Sequence, residues 1–418
     1  MPNELPPTAT GVTKVDLGAI SASPAVPTLL PLLPLLCLAL GSFAVGTEGF
    51  MIAAILPKIS QDLAVSVQMA GQLVTAFTLV YALSSPVLTA LSGGINRRKL
   101  LLLTMAVFAA GNVLAAMAEG YWSLLAARIV LAVAAGLYGP NANALASALA
   151  PAERRGRALS IVNGGLSIAV ALGVPLGAFI GNHFGWRVNF IGVAGLALLA
   201  CGGLLLGVAK TAGMGPAAPS LRARLAVIRQ PSVLPALAVT TLWALGGYEV
   251  YTYIAPYLAT TTGLTGSQVG YVLFCWGSAA FLGLMLGGAA HDKIGARPAI
   301  ITTLVVMAAA LALLSIAALV LSPGAALIPV LIAVIAWGLA AWGFFPSQQV
   351  RMIGIAGPAH APIVLSLNSS FMYLGFALGA AIGSVTLTVA GASALGFVGA
   401  ACVGAALLLF LSTDTKRA

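Results

Sequence analysis

Residues 32–57 read LLPLLCLALGSFAVGTEGFMIAAILP, a stretch whose single charged side chain is Glu48. A helix needs about 20 apolar residues to cross the hydrocarbon of a bilayer, and this run supplies them. Eleven further runs of the same kind follow. They are predicted over 69–91, 100–118, 122–149, 158–181 and 188–209, then over 233–259, 268–290, 298–320, 325–350, 361–389 and 391–412. Composition agrees with that reading. The 418 residues are 60% hydrophobic and 7% charged, whereas soluble domains run near 25% charged. Such a chain cannot cover itself with a water-compatible surface. The expected fold class is an all-α membrane protein with twelve transmembrane helices in two pseudo-symmetric six-helix bundles.

The expected organisation is a polar, disordered cytoplasmic tail (1–31), a first six-helix half (32–209), a central cytoplasmic loop (210–232), a second half (233–412) and a short tail (413–418). The first apolar run is too long and too far from the start for a cleaved signal peptide, so it reads as the first span.

Cations sort by side. The N-terminal tail, the even-numbered connections and the C-terminal tail hold Lys14, Arg97, Arg98, Lys99, Arg154, Arg155, Arg157, Lys210, Arg222, Arg224, Arg229, Lys293, Arg297, Arg351, Lys416 and Arg417. The odd-numbered connections hold only Lys58 and Arg187, and Arg128 lies inside a span. The positive-inside rule then puts both termini in the cytoplasm. The net charge of +10 belongs to this topology and not to nucleic-acid binding.

An internal repeat supports the division into halves. Pro57 and Gly71 recur as Pro256 and Gly270, the same offset carries Arg98 onto Arg297, and Glu48 and Glu249 precede the two prolines at similar distances. Duplicated halves place a substrate site at their interface near mid-membrane.

Charges inside spans are costly and mark function by default. Most acids sit in tails or connections, but Glu48 and Glu249 fall in the first and seventh spans. A buried carboxyl that gains and loses a proton as water access changes sides is what proton coupling requires, so both are candidates. Arg128 needs a partner, and Glu48 is the natural one if spans 1 and 4 adjoin. Tyr248, Tyr251 and Tyr253 could instead satisfy Glu249 structurally. Tyr81, Asn112, Tyr138, Asn141, Asn143, Tyr251, Trp276, Trp337, Trp342, Gln348, Asn368 and Tyr373 are candidate cavity-lining residues, since aromatics with a few amides suit an amphipathic organic ligand. Glycines at 173, 177 and 181, and at 375, 379 and 383, recur every four residues and let helices approach closely.

Cys37, Cys201, Cys275 and Cys402 are isolated in apolar runs, as are the histidines near span ends, so no disulfide, metal site or cofactor is expected. No P-loop and no nucleophile–base set is visible, and the chain is not read as an enzyme.

Gly46-Thr47-Glu48-Gly49-Phe50 with Ile55-Leu56-Pro57 and Gln61-Asp62-Leu63; Gly288 with Asp292, Lys293, Gly295 and Arg297; Arg128 with Gly136; Gly173-Val174-Pro175-Leu176-Gly177; Gly185-Trp186-Arg187; and Tyr251 to Leu258 form a set of motifs. Together they resemble the major facilitator superfamily, and in particular its twelve-span drug:proton antiporters, the arabinose-efflux and chloramphenicol-resistance-like branch. The resemblance implies that the loop after span 8 latches its helices, that Arg128 is linked to proton coupling, and that the Gly173–Gly177 motif favours exchange over uptake. The loop after span 2 keeps Arg97, Arg98 and Lys99 but has Gly93 where the repeat has Asp292. Val174 separates a glycine and a proline that the fuller motif joins.

The function expected is proton-coupled export of a small organic compound (a drug, sugar or related metabolite) by alternating access. Glu48, Arg128 and Glu249 would handle protons, and Arg98, Gly288, Asp292, Gly295, Arg297, Gly173, Pro175 and Gly177 would gate. The alternatives are an uncoupled sugar or metabolite facilitator and a non-transporting membrane sensor. The expected partners are substrate, protons and the bilayer of a bacterial cytoplasmic membrane, with the protein acting as a monomer.

Overall fold

The computed structural model describes residues 30–210 and 219–414. Most of the expected N-terminal tail with Lys14, part of the central connection, and Lys416 and Arg417 lie outside them. Among the described residues, twelve helices are long and apolar enough to cross a membrane, and no strand occurs. In chain order, spans 1–6 are Leu32–Asp62, Val67–Leu91, Arg97–Ala116, Tyr121–Leu149, Arg155–His183 and Trp186–Gly207. Spans 7–12 are Val233–Thr252, Ser267–Ile294, Ala296–Val320, Pro323–Ala356, Pro358–Val389 and Ala392–Asp414.

Local chemistry sets several boundaries. Ser66 caps span 2 by accepting the Met69 N–H, and Asn96 caps span 3 through the Lys99 N–H, each filling one of the donors left open at a helix start. Gly295 ends span 8 and begins span 9 at φ 82°, a left-handed backbone that favours glycine.

Three elements depart from the sequence expectation. Span 7 is interrupted at Tyr253 and resumes as Ile254–Thr261, because Pro256 has no N–H for the Thr252 carbonyl. Span 5 carries a π-turn at Ala169–Gly173, closed by the Val174 N–H bonding back to Ala169. Pro175 cannot donate, so the chain accommodates it one turn upstream. The central connection contains a helix, Leu221–Ile228, capped by Ser220. Its Val227 packs with Leu237, Met352 and Val364, and the Arg224 guanidinium donates to the Ser366 hydroxyl at 2.8 Å.

The packing repeats. Span 1 packs on spans 5 and 6, span 4 on spans 2 and 3, and span 3 on span 6. Span 7 packs likewise on spans 11 and 12, span 10 on spans 8 and 9, and span 9 on span 12. The two sets meet where span 2 lies against span 11 and where span 5 lies against span 8, a pair of contacts that the same repeat interchanges.

Glycines make the crossings close. A Cβ on Gly173, Gly177 or Gly181 would run into Thr47, Met51 or Ile55 of span 1, and one on Gly375, Gly379 or Gly383 into span 7. The two repeat glycines, Gly71 and Gly270, sit at the contacts between the sets, Gly71 beneath the Tyr253 ring and Gly270 beside Ala178. Both glycine stripes pack a helix crossing, and the stripes flank Glu48 and Glu249.

Call the side where span 1 begins and span 12 ends the terminal side. On the far side, Asp62 accepts from Arg187 and, at 3.0 Å, from the Trp186 indole, while Arg187 also donates to the Ala118 carbonyl at 2.9 Å. Two of the quoted motifs thus meet. Both charged side chains are substantially exposed, so Asp62→Asn should cost no more than about 1 kcal/mol. A thermal-melt comparison in one detergent checks this, and a larger loss would make the clamp structural. On the terminal side Arg297 pairs with Asp414 of span 12 at 3.0 Å. Asp292 forms no salt bridge among the described residues, so the ion pair made from this motif joins span 9 to span 12.

Candidate functional site

Span 1 and span 4 adjoin, and Glu48 and Arg128 form an ion pair that is wholly buried. The close approach comes from small residues. Gly41 receives the Tyr138 ring, and a Cβ at Gly136 would press on span 2. The Arg128 Nε–H reaches the Leu73 carbonyl at 3.4 Å and the guanidinium lies 4.3 Å from the Phe77 ring centroid. Glu48 Oε2 and Arg128 Nη2 are buried without hydrogen-bond partners. Attraction in a dry interior holds the pair, but incomplete hydrogen bonding leaves part of the desolvation cost uncompensated. Removing either charge would leave the other buried and unpaired.

Glu249, at the matching place in span 7, is built differently. It is wholly buried. Its Oε1 accepts the Thr386 hydroxyl of span 11 at 2.9 Å, and Oε2 has no partner. The three tyrosines expected to satisfy it do other work. Tyr248 and Tyr251 donate across to the Gly49 and Phe50 carbonyls at 3.4 and 3.1 Å, and Tyr253 to the Ala380 carbonyl at 3.0 Å.

From Arg128 an unbroken line of rings crosses the molecule. Phe77 lies 6.5 Å from Tyr81, and Tyr81 stacks on Tyr373 at 3.6 Å between the two sets of spans. Tyr373 meets Phe376 at 5.4 Å, Phe376 stacks on Tyr248 at 4.1 Å and Tyr248 on Tyr251 at 5.3 Å. Tyr251 leads to Trp276 at 4.8 Å, which leads to Trp337 at 5.3 Å. Phe50, two residues from Glu48, meets Tyr248, Tyr251 and Phe376 edge-on. Most of these rings are buried against one another; aromatic faces of this kind, once exposed, hold flat or lipophilic groups by area and ring geometry and favour cations.

The expected lining residues therefore divide. Tyr81, Tyr251, Trp276, Trp337 and Tyr373 share this aromatic line. Gln348, Thr240 and Asn368 form a separate buried network, with the Gln348 amide donating to Thr240 and the Ala236 carbonyl and Thr240 donating to Asn368. Asn112 bonds within its own helix, Tyr138 ties span 4 to the Leu38 carbonyl, and Asn141 accepts from Arg97. Asn143 donates to Asn163, and Trp342 packs on Phe345. Of the gating set, Arg98 is buried and donates to the Leu205 carbonyl at 2.9 Å, Gly288 faces open space, and Pro175 follows the π-turn. Sequence reasoning missed Phe50, Phe77, Phe376 and Thr386. Only Phe50 carried a signal, its place beside Glu48 in the opening motif.

The profile of the Major Facilitator Superfamily matches residues 38–350 and 237–418. Among curated proteins, the chain is 36% identical over 385 residues to the uncharacterized MFS-type transporter YbcL of Bacillus subtilis, covering 91% of this chain and 96% of that one. It is 32% identical over 385 residues to the inner membrane transport protein YdhP of Escherichia coli, with the same coverage. Among solved structures, a bacterial homologue of the human lysosomal transporter Spinster, in an inward-facing and occupied conformation, superposes with a TM-score of 0.70 at 18% identity. The match covers 91% of this chain and 94% of that one. The human organic anion transporter MFSD10 gives 0.66 at 17% identity, covering 91% and 98%.

Proposed function

The chain belongs to the major facilitator superfamily, and within it we propose a proton-coupled antiporter that exports a small organic compound by alternating access. It is a multi-pass membrane transporter and not an enzyme, as its relatives are transporters. The two six-span halves (32–209 and 233–412) rock about the contacts of span 2 with span 11 and of span 5 with span 8. The cationic terminal side is the cytoplasmic one by the positive-inside rule, which puts both termini inside. The protein works as a monomer, since both halves of the path come from one chain.

The observation that carries this reading is the wholly buried Glu48–Arg128 pair with an unpartnered oxygen, at the head of an aromatic line that crosses between the halves. An ion pair in this setting has two states. While Glu48 is ionised, Arg128 is held to it. Once Glu48 takes a proton the attraction falls, and Arg128 retains only the Leu73 carbonyl and the Phe77 face. Phe77 abuts Tyr81, whose partner Tyr373 belongs to the other half, so the protonation state is read out at the interface. A ligand spread over Tyr81, Tyr373, Tyr251 and Trp276 competes for those same contacts. Glu249 supplies a second carboxyl in the other half.

Proton movement in everted vesicles, followed with a pH-sensitive dye, tests this. Wild-type protein should move protons when a cationic drug, chloramphenicol-like compound, sugar or nucleoside that it carries is added, and Glu48→Gln should cut that signal at least tenfold. Signal retained in Glu48→Gln and lost in Glu249→Gln would transfer the role to Glu249. Uptake of compound without proton movement would make the protein an uncoupled facilitator.

A further inference from the structure

Outside the path between the halves, an open groove of about 450 Å³ runs between span 11 and the start of span 12. Ile382, Val385 and Val389 form one wall and Val398 the other. Val385 and Val389 are exposed on the outer surface of the bundle, so the groove opens sideways, where acyl chains would lie. Its far-side position follows from the chain direction of span 11.

The floor distinguishes it from an ordinary lipid-facing groove. Thr386, the one residue of the lining with a polar side chain, donates to Glu249. Behind it, span 7 meets span 12 at Gly246 and Gly399 and meets span 11 at Gly379 and Gly383, with Glu249 in the angle. Glu48 has an arginine, but Glu249 has only a hydroxyl, and its second oxygen is buried without a partner. A buried acid without a counter-cation is costly to ionise, and it meets that cost either by holding a proton or by gaining a cation; Glu249 lies one side chain from an apolar groove open to the bilayer.

We propose that this groove is a binding site for a single-chain amphiphile with a cationic nitrogen head, which enters sideways from the bilayer, lays its chain along Val385, Val389 and Val398 and presents its head to Thr386 and Glu249. The site is distinct from the aromatic line between the halves and does not depend on proton coupling through Glu48.

Binding of radiolabelled dodecylamine to the full-length protein in nanodiscs of zwitterionic lipid tests the assignment. Saturable binding is expected, weakened at least tenfold by Glu249→Gln. Independently, it should weaken at least tenfold in Val389→Trp and Val385→Trp, which fill the groove and leave the carboxyl in place. Dodecyl sulfate should compete at least tenfold less well than unlabelled dodecylamine. Either tryptophan variant that elutes as a single folded species suffices. Equal competition by dodecyl sulfate, or unchanged binding in a folded tryptophan variant, overturns the proposal in favour of the lipid annulus. Loss in Glu249→Gln alone, with the tryptophan variants normal, overturns it in favour of the path between the halves.

Discussion

Arg128→Met should destabilise the protein by about 3–5 kcal/mol, the cost of stranding one member of a buried ion pair. The methionine can fill much of the space over Phe77, so the loss comes chiefly from Glu48 and not from a void. Among the described residues Arg128 is the one group bonded to Glu48, so Glu48 would be left without a partner there. The double variant Glu48→Gln/Arg128→Met should recover most of the loss, because no buried charge then remains. Thermal unfolding of the single and double variants in one detergent, read as a double-mutant cycle, checks this. Additive losses would mean that the two side chains do not depend on each other, and the pair could not then serve as a proton-sensitive element. The recovered double variant should still fail to move protons, which separates stability from coupling.

The second large effect is expected at Gly277. A Cβ there would meet the Val170 carbonyl and Ala171 backbone of span 5. Backbone cannot yield as a flexible side chain does, so Gly277→Val should push spans 5 and 8 apart. Overpacking of this kind costs about 1–3 kcal/mol. Charged to one conformation alone, that shifts an opening equilibrium by roughly 5- to 150-fold. A cysteine placed at Ala178, which faces Gly270 on the far side, should then react with a membrane-impermeant maleimide about tenfold faster than in the otherwise unchanged protein. Transport should fall in parallel. Unchanged labelling together with unchanged transport would show that this crossing does not govern access.

The twelve spans were legible because a bilayer imposes both a length and an apolar composition, and their ends came within a few residues wherever a charge or cap stood there. The Glu48–Arg128 pair was legible for a related reason. One cation inside a span must find a counter-charge, and few acids were on offer. The partner of Glu249 was not legible, because Thr386 is one hydroxyl among many and lies 137 residues away. Phe77 and Phe376 look in sequence like any phenylalanine facing lipid, and only tertiary packing turns them inward. The break in span 7 was written in Pro256, but prolines within spans 1, 2, 4 and 10 leave those helices continuous. Proline alone therefore does not distinguish a bend from an interruption.

The π-turn of span 5 has a consequence for angular register. Gly165 and Gly173 both face span 1, one against the Ala39 carbonyl and the other against Thr47. In an unbroken α-helix, eight residues turn the chain about 80° past two full revolutions, at 3.6 residues per turn. Helices that cross at an angle tolerate that drift, as Gly375 and Gly383 of the unbroken span 11 do against span 7. A turn that absorbs one surplus residue leaves an effective spacing of seven, about 20° short of two revolutions, and the two glycines align. Removing one residue between Ala169 and Gly173 would regularise the hydrogen bonding and keep this phase, whereas drawing the turn into a regular α-helix with every residue kept would rotate the terminal-side half of the helix by roughly one residue's angle. A side chain would then point at Ala39 in place of Gly165. The irregular turn thus takes up one surplus residue without shifting the phase of span 5 against span 1.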